Sequence, residues 1–306
     1  MSFTMSHRLP PRPVRPGRAP RAARAVARPA PPSGFTLVEL LTVMGIIAVL
    51  LAILLPALGS SRRASRQLVD ATRLRQVHTA FLSWSRAFNG LFPTPGLINR
   101  LGTAGELGAE DVHQNSHANL YSASIAQNYF SAQLCVSAAE SNANVLVHAS
   151  YNYNAYNVTQ ESFWDPTFRC DLATVSNLSF ATLHLDGPRK AAQWRESLDS
   201  RFAVVGNRGV KDGSMLESVY NASKTLAIHG GARSWEGNIV YNDNHVAFES
   251  VFSPPSLKRL GPDGTVADNL FRDDPEGAGA DVWLTMISAV AGAAGGGGVS
   301  FTLSWD

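Results

Sequence analysis

Phe35-Thr-Leu-Val-Glu-Leu-Leu-Thr-Val-Met-Gly-Ile-Ile-Ala-Val-Leu-Leu-Ala-Ile-Leu-Leu55, closed by Pro56, decides how this chain is built. The run holds 21 residues and a single charge, Glu39. As an α-helix it rises roughly 31 Å, about the thickness of a bilayer's hydrocarbon core. A helix satisfies its own backbone donors and acceptors, which an isolated strand in lipid does not. The stretch therefore predicts a membrane span over 35–55. It is longer than the roughly 7–15 apolar residues of a secretory signal peptide, although Ala57-Leu-Gly59 would imitate a cleavage site. A generic single-span anchor accounts for the length but not for Glu39. A carboxylate near mid-bilayer costs about 2.5–3.5 kcal/mol. Near the helix start the cost falls and the helix dipole favours negative charge. The acid still asks for a partner.

Outward from the span, the preceding segment is of another kind. Residues 1–34 contain seven Arg, eight Pro and no Asp or Glu. With almost no large apolar side chains the leader is expected to stay disordered. Its arginines would hold it on the cytoplasmic side of a membrane. The whole chain has 26 basic and 24 acidic residues; subtracting the leader's seven Arg leaves 19 against 24, a net of −5 over 35–306. Bulk charge thus gives no case for nucleic acid as a partner.

The junction between leader and span carries a family resemblance. Ser33-Gly-Phe-Thr-Leu-Val-Glu-Leu-Leu41 resembles the processing site of type IV prepilins and type II secretion pseudopilins. The resemblance implies cleavage between Gly34 and Phe35 by a prepilin peptidase, and N-methylation of the new Phe35 terminus. It places Glu39 at the family's acidic position and Pro56 where the family has a kinking proline. It covers about 50 residues; the long Arg/Pro-rich leader departs from the family's shortest leaders. The residue types make chemical sense. Gly34 presents no side chain to an approaching protease. Glu39 of one subunit can neutralise the freed amine of the next, so two charges in lipid are compensated only on assembly.

Beyond Pro56, which removes a helix donor, helical patterning resumes. Leu74, Val77, Phe81, Trp84 and Phe88 recur at spacings of 3, 4, 3 and 4, one apolar face, read as core rather than as a cofactor box. Arg62, Arg63, Arg66, Arg73 and Arg75 are expected on a wet face. Asn89-Gly90, then Pro93 and Pro95, end the helix. The domains are therefore a cleaved basic leader (1–34), a transmembrane and assembly helix (35–55), its amphipathic continuation (56–89) and an α+β head (90–306). The fold class is α+β, a long N-terminal hydrophobic helix packed on an antiparallel sheet. Strands are predicted over 144–148, 150–158, 202–205 and within 238–252, with a helix over 191–198. Asn238-Ile-Val-Tyr241 and His245-Val-Ala-Phe248 read as a hairpin about an Asn/Asp turn. The Gly/Ala-rich stretch 289–298 reads as a flexible connection to a last strand over 299–305.

A second resemblance lies in the head. His229-Gly-Gly-Ala, then Gly237-Asn-Ile-Val-Tyr-Asn-Asp243-Asn244-His245-Val, is similar to a His-Gly-Gly … Asp-Gly-His-Val motif of large planctomycete-type prepilin-like proteins. Here 13 residues separate His229 from Asp243 where that family has nine, and Asn244 replaces Gly. Asn tolerates the same positive-φ turn position.

Other candidates are weaker. His229, Asp243 and His245 lack zinc-ligand spacing and any accompanying Cys, so a turn Asp bonded to a strand-end His is expected and no metal. Asp263, Asp268, Asp273 and Asp274 supply oxygen ligands for calcium but without EF-hand spacing; no other cofactor is expected. Cys135 and Cys170 leave two states open, a disulfide closing a 35-residue interval or two buried thiols. No Gly-x-Ser-x-Gly, His-Glu-x-x-His or phosphate loop is present, so no enzyme is expected. The Tyr/Asn run from Tyr151 to Asn157 reads as a sticky surface or a polar edge strand. The resemblance implies a structural subunit, sited in the inner membrane with a periplasmic head and then in a type IV pilus or type II secretion pseudopilus. Its expected partners are prepilin peptidase, identical or related pilin subunits, and the assembly machinery. The alternative is a membrane-anchored periplasmic binding module with a single N-terminal span. An anchored enzyme is a third reading.

Overall fold

The computed structural model describes residues 34–98, 108–231, 234–261, 264–273, 282–292 and 298–306. The leader up to Ser33, and Asp263 and Asp274 of the calcium candidates, lie outside the described residues. The chain divides into two units, one ending at Leu54 and one running Leu55–Asp306.

Helix α1 runs Leu37–Ser85 and includes Pro56. Its first part is fully exposed; large side chains from Leu37 to Leu58 leave 44–79% of their surface uncovered. In water such a surface has no counterpart, because a soluble domain hides its largest apolar runs. This is the apolar span expected from the sequence. From Asp70 onward one face is buried: Leu74, Val77, Phe81 and Trp84, with Asp70, His78 and Ser85 among them. The helix stops at Ser85, earlier than the apolar spacing suggested. Asn89 and Gly90 take positive φ, and the Gly90 N–H donates to the Ser85 carbonyl at 2.8 Å. Phe88 therefore falls in the terminating turn, 47% exposed and stacked on Trp84 at 4.8 Å. Arg73 also departs from expectation: it is half-buried and donates to the Val136 carbonyl.

The remaining helices are short: α2 Pro95–Ile98, α3 His117–Ala126, α4 Gly187–Gln193 and α5 Glu217–Tyr220. Helix α4 starts before the stretch predicted over 191–198, since Pro188 pre-sets the first turn. It ends when Trp194 turns inward, its indole donating to the Pro93 carbonyl at 2.9 Å. The strands are β1 Phe180–Thr182, β2 Ala203–Asn207, β3 Gly237–Tyr241, β4 Val246–Glu249, β5 Lys258–Gly261, β6 Gly264–Ala267, β7 Ile287–Ala291 and β8 Ser300–Leu303. Strands β1-β2-β3-β4 form one antiparallel sheet in that order; β5-β6 and β7-β8 are separate antiparallel pairs. Every residue of β2 and β3 is buried, whereas β4 is half covered. A strand buried on both faces reads as a near-continuous apolar run, and Ala203-Val-Val and Ile239-Val-Tyr fit that pattern.

The expected α+β class and the β3–β4 hairpin are present. The strands predicted over 144–148 and 150–158 are not: Val145 makes one isolated bridge, and Tyr153–Ala155 and Val158–Gln160 are single 3₁₀ turns. The Asn152 and Asn157 side chains accept from the N–H groups of Asn154 and Gln160, closing the chain on itself. Such local bonds compete with a ladder. Cys135 and Cys170 are both buried free thiols, so the disulfide alternative is not realised. Burial pushes both thiols above their ordinary pKa.

One core joins the second half of α1 to the sheet: Leu74, Val77 and Phe81 with Phe92, Leu120, Tyr121, Trp194, Val205 and Ile239. Phe81 lies edge-on to Trp194 at 5.5 Å, and Phe92 to Trp194 at 5.3 Å.

Candidate functional site

At the start of α1, Gly34 and Phe35 are exposed, Phe35 at 85%. A side chain added at Gly34 would meet nothing within 4 Å. No fold constraint demands glycine there, so a requirement for it would come from outside the chain. The Thr36 hydroxyl accepts from the Glu39 N–H at 3.2 Å, while the Glu39 carboxylate accepts from the Thr36 N–H and hydroxyl, both at 2.8 Å. This is a reciprocal capping box, Thr-x-x-Glu, satisfying donors that a helix start leaves open. The sequence reading missed it, although Thr three residues before Glu ahead of an apolar run is its signature. In the single chain Glu39 thus caps its own helix, an arrangement that leaves the carboxylate at the helix's positive end.

The head motif residues do not gather into one cluster. His229 reaches α1: its Nε2 lies 2.9 Å from Asp70 Oδ2, with both groups buried. Asp70 also accepts from the Ala138 N–H at 2.8 Å, from Asn207 Nδ2 at 3.3 Å and from the Ser137 hydroxyl. Burial alone would raise the Asp70 carboxyl. The hydrogen bonds from His229, Ser137 and Ala138, with the field of His229, outweigh it and hold the carboxyl below its ordinary range. Asn207 of β2 also accepts from the Asn238 N–H at 2.8 Å, and Asn238 Nδ2 donates to the Gln67 carbonyl of α1 at 3.2 Å.

The β3–β4 turn makes the second attachment. Asn244 has φ +68°, the left-handed conformation that Gly or Asn adopts most readily. Its Oδ1 lies 3.0 Å from His78 Nδ1, and its Nδ2 donates to the Thr79 hydroxyl at 3.3 Å. Burial pushes the His78 imidazole below its ordinary pKa, against its bond to Asn244. Within the turn Asp243 accepts from the His245 N–H at 3.1 Å and pairs with its ring, which stacks on Tyr241 at 4.5 Å. Sequence reasoning found these residues but not their target. The overlooked signal is Asp70, which continues the spacing of Leu74 and Val77 backwards along the buried face. Among the described residues no group of three or more His, Cys, Asp or Glu is placed to hold a metal ion.

Two salt-bridged sites lie elsewhere in the head. Arg208, 1% exposed, pairs with Glu140 at 2.7 Å and with Asp306 at 2.7 Å. Arg189 lies over the Trp283 ring at 3.8 Å and pairs with Asp268 at 2.9 Å. Arg208, Asp268 and Trp283 are buried, and Arg189 is half-buried against the Trp283 ring.

Residues 32–55 match the family model described as the prokaryotic N-terminal methylation motif. No curated protein and no solved structure matches the chain. The match falls on the capped, exposed start of α1. It defines a prepilin-type N-terminal segment on a long apolar helix, consistent with a prepilin- or pseudopilin-like protein. Such a motif supports a prepilin-type protein that is processed at its N-terminal segment.

Proposed function

We propose that the chain is a structural subunit of a type IV pilus or a type II secretion pseudopilus. Prepilin peptidase cleaves between Gly34 and Phe35 and the new terminus is methylated. The span 35–55 then holds the subunit in the inner membrane with its head in the periplasm, until it joins identical or related subunits. The observation that carries this reading is the methylation motif over 32–55 lying on an exposed apolar helix start. The open space around Gly34 supports a glycine selected by a protease. In assembly Glu39 exchanges part of its capping role for the amine of a neighbouring Phe35.

The membrane-anchored binding module draws support from a cavity of about 800 Å³ lined by Leu216, Val219, Trp235 and Phe252 with Lys211 and Asp212. Mass analysis of the protein purified from its native membrane separates the two. A methylated Phe35 terminus supports the subunit reading, and an intact Met1 terminus overturns it. Glu39→Ala should insert normally yet fail to assemble; filaments at wild-type yield would refute the charge pairing.

A further inference from the structure

Between Glu39 and Asp70 there is no Asp or Glu, and this stretch carries Arg62, Arg63 and Arg66. All three are exposed, and none bonds or pairs with a described residue. The remainder of the processed chain is acidic: 24 acids less Glu39 against 19 bases less these three leaves −7 over 70–306. At about 100° per residue, Arg62 and Arg66 lie about 40° apart on α1, with Arg63 about 60° further round. Of the residues that face the head, Asp70 and Val77 fall within that same arc and Leu74 lies about 20° beyond its edge. Helix α1 therefore turns a basic patch to the side on which, two turns later, it meets the sheet.

We infer that Arg62, Arg63 and Arg66 form a collar that binds the phosphate groups of anionic phospholipids at the outer face of the membrane. This rests on the membrane-inserted subunit proposed above. Arg62 follows Leu55 by seven residues, a helical rise of about 10 Å, whereas the headgroup layer on each side is roughly 5–8 Å deep. Arginine stems lie along apolar surface and carry the guanidinium back to that layer. A guanidinium fork matches phosphate oxygens, and each basic residue near an anionic surface strengthens attachment. The collar also offsets the repulsion that an anionic head meets at an anionic leaflet. The occupant is lipid rather than a second copy, because the patch lies within headgroup reach of the span.

The test uses the processed full-length protein in nanodiscs containing equal phosphatidylglycerol and phosphatidylcholine, released and weighed with bound lipid by native mass spectrometry. Wild type should retain phosphatidylglycerol over phosphatidylcholine by about tenfold or more at low salt, with the preference falling as salt rises. R62Q/R63Q/R66Q should retain the two lipids nearly equally, and R62K/R63K/R66K should keep most of the preference. R75Q, an exposed arginine on another face of α1, should behave as wild type. An unchanged preference in the triple glutamine variant overturns the collar. So does a wild type without preference whose self-association the glutamines abolish, which assigns the patch to a second copy. Release of the wild type from membranes by alkaline carbonate would instead remove the membrane reading itself.

Discussion

Replacing Asp70 by alanine would strip the acceptor from four donors that converge on it: the Ala138 N–H, His229 Nε2, Asn207 Nδ2 and the Ser137 hydroxyl. A buried donor left without a partner costs about 1–3 kcal/mol. Relaxation makes such losses less than additive, and breaking a buried pair by removing one member costs about 3–5 kcal/mol. For a domain of this size each kcal/mol moves Tm by about 2–4 °C, so D70A should melt roughly 6–20 °C below wild type. The assay is tryptophan fluorescence against temperature on the processed protein in mild detergent, since Trp84, Trp194 and Trp235 are buried in the unit that unfolds. D70N keeps the shape, removes the charge and should fall between. Acid pH adds a second readout. The Asp70 carboxyl lies below its ordinary 3.8 in the folded state. Its stabilisation is therefore complete above that value and is lost as pH falls through the lower folded one. Wild type should lose stability on acidification more steeply than D70N. A D70A variant melting within about 2 °C of wild type would refute the view that this carboxylate organises the helix–sheet contact.

Asn244→Val should destabilise by about 1–3 kcal/mol, since a β-branched residue resists positive φ and the bond to His78 is lost; Asn244→Gly should cost less, and chemical denaturation compares them. Cys135 and Cys170 should resist maleimide in the folded protein and both react after unfolding without reductant, because both are buried free thiols. Absence of labelling after unfolding would show them bridged.

The span and the helical stripe were legible because one apolar run and one 3.6-residue period need no long-range information. The β3–β4 hairpin was legible from its Asn-Asp-Asn turn. Over 150–158 the Tyr and Val residues suggested a strand, while the decisive feature was asparagine side chains bonding their own backbone. Helix α3 escaped notice because Ala and Ser dominate it, and its start depends on Ser116 accepting from the Asn119 N–H. Asp70 was overlooked for a different reason. A lone acid on an amphipathic helix resembles a solvated one, and its partners Ser137, Asn207 and His229 are remote in sequence. The Thr36–Glu39 box is local, and its Thr-x-x-Glu spacing ahead of an apolar run is readable in the sequence.

Two of the polar attachments of α1 to the head, Asp70 with His229 and His78 with Asn244, are eight residues apart along the helix. Greasy contacts alone would let a helix slip by a turn at modest cost, since one leucine replaces another. Directional bonds at two separated points fix the axial setting. Tension drawn along the helix therefore reaches the head as shear across these directional links, with the Gln67–Asn238 bond beside them.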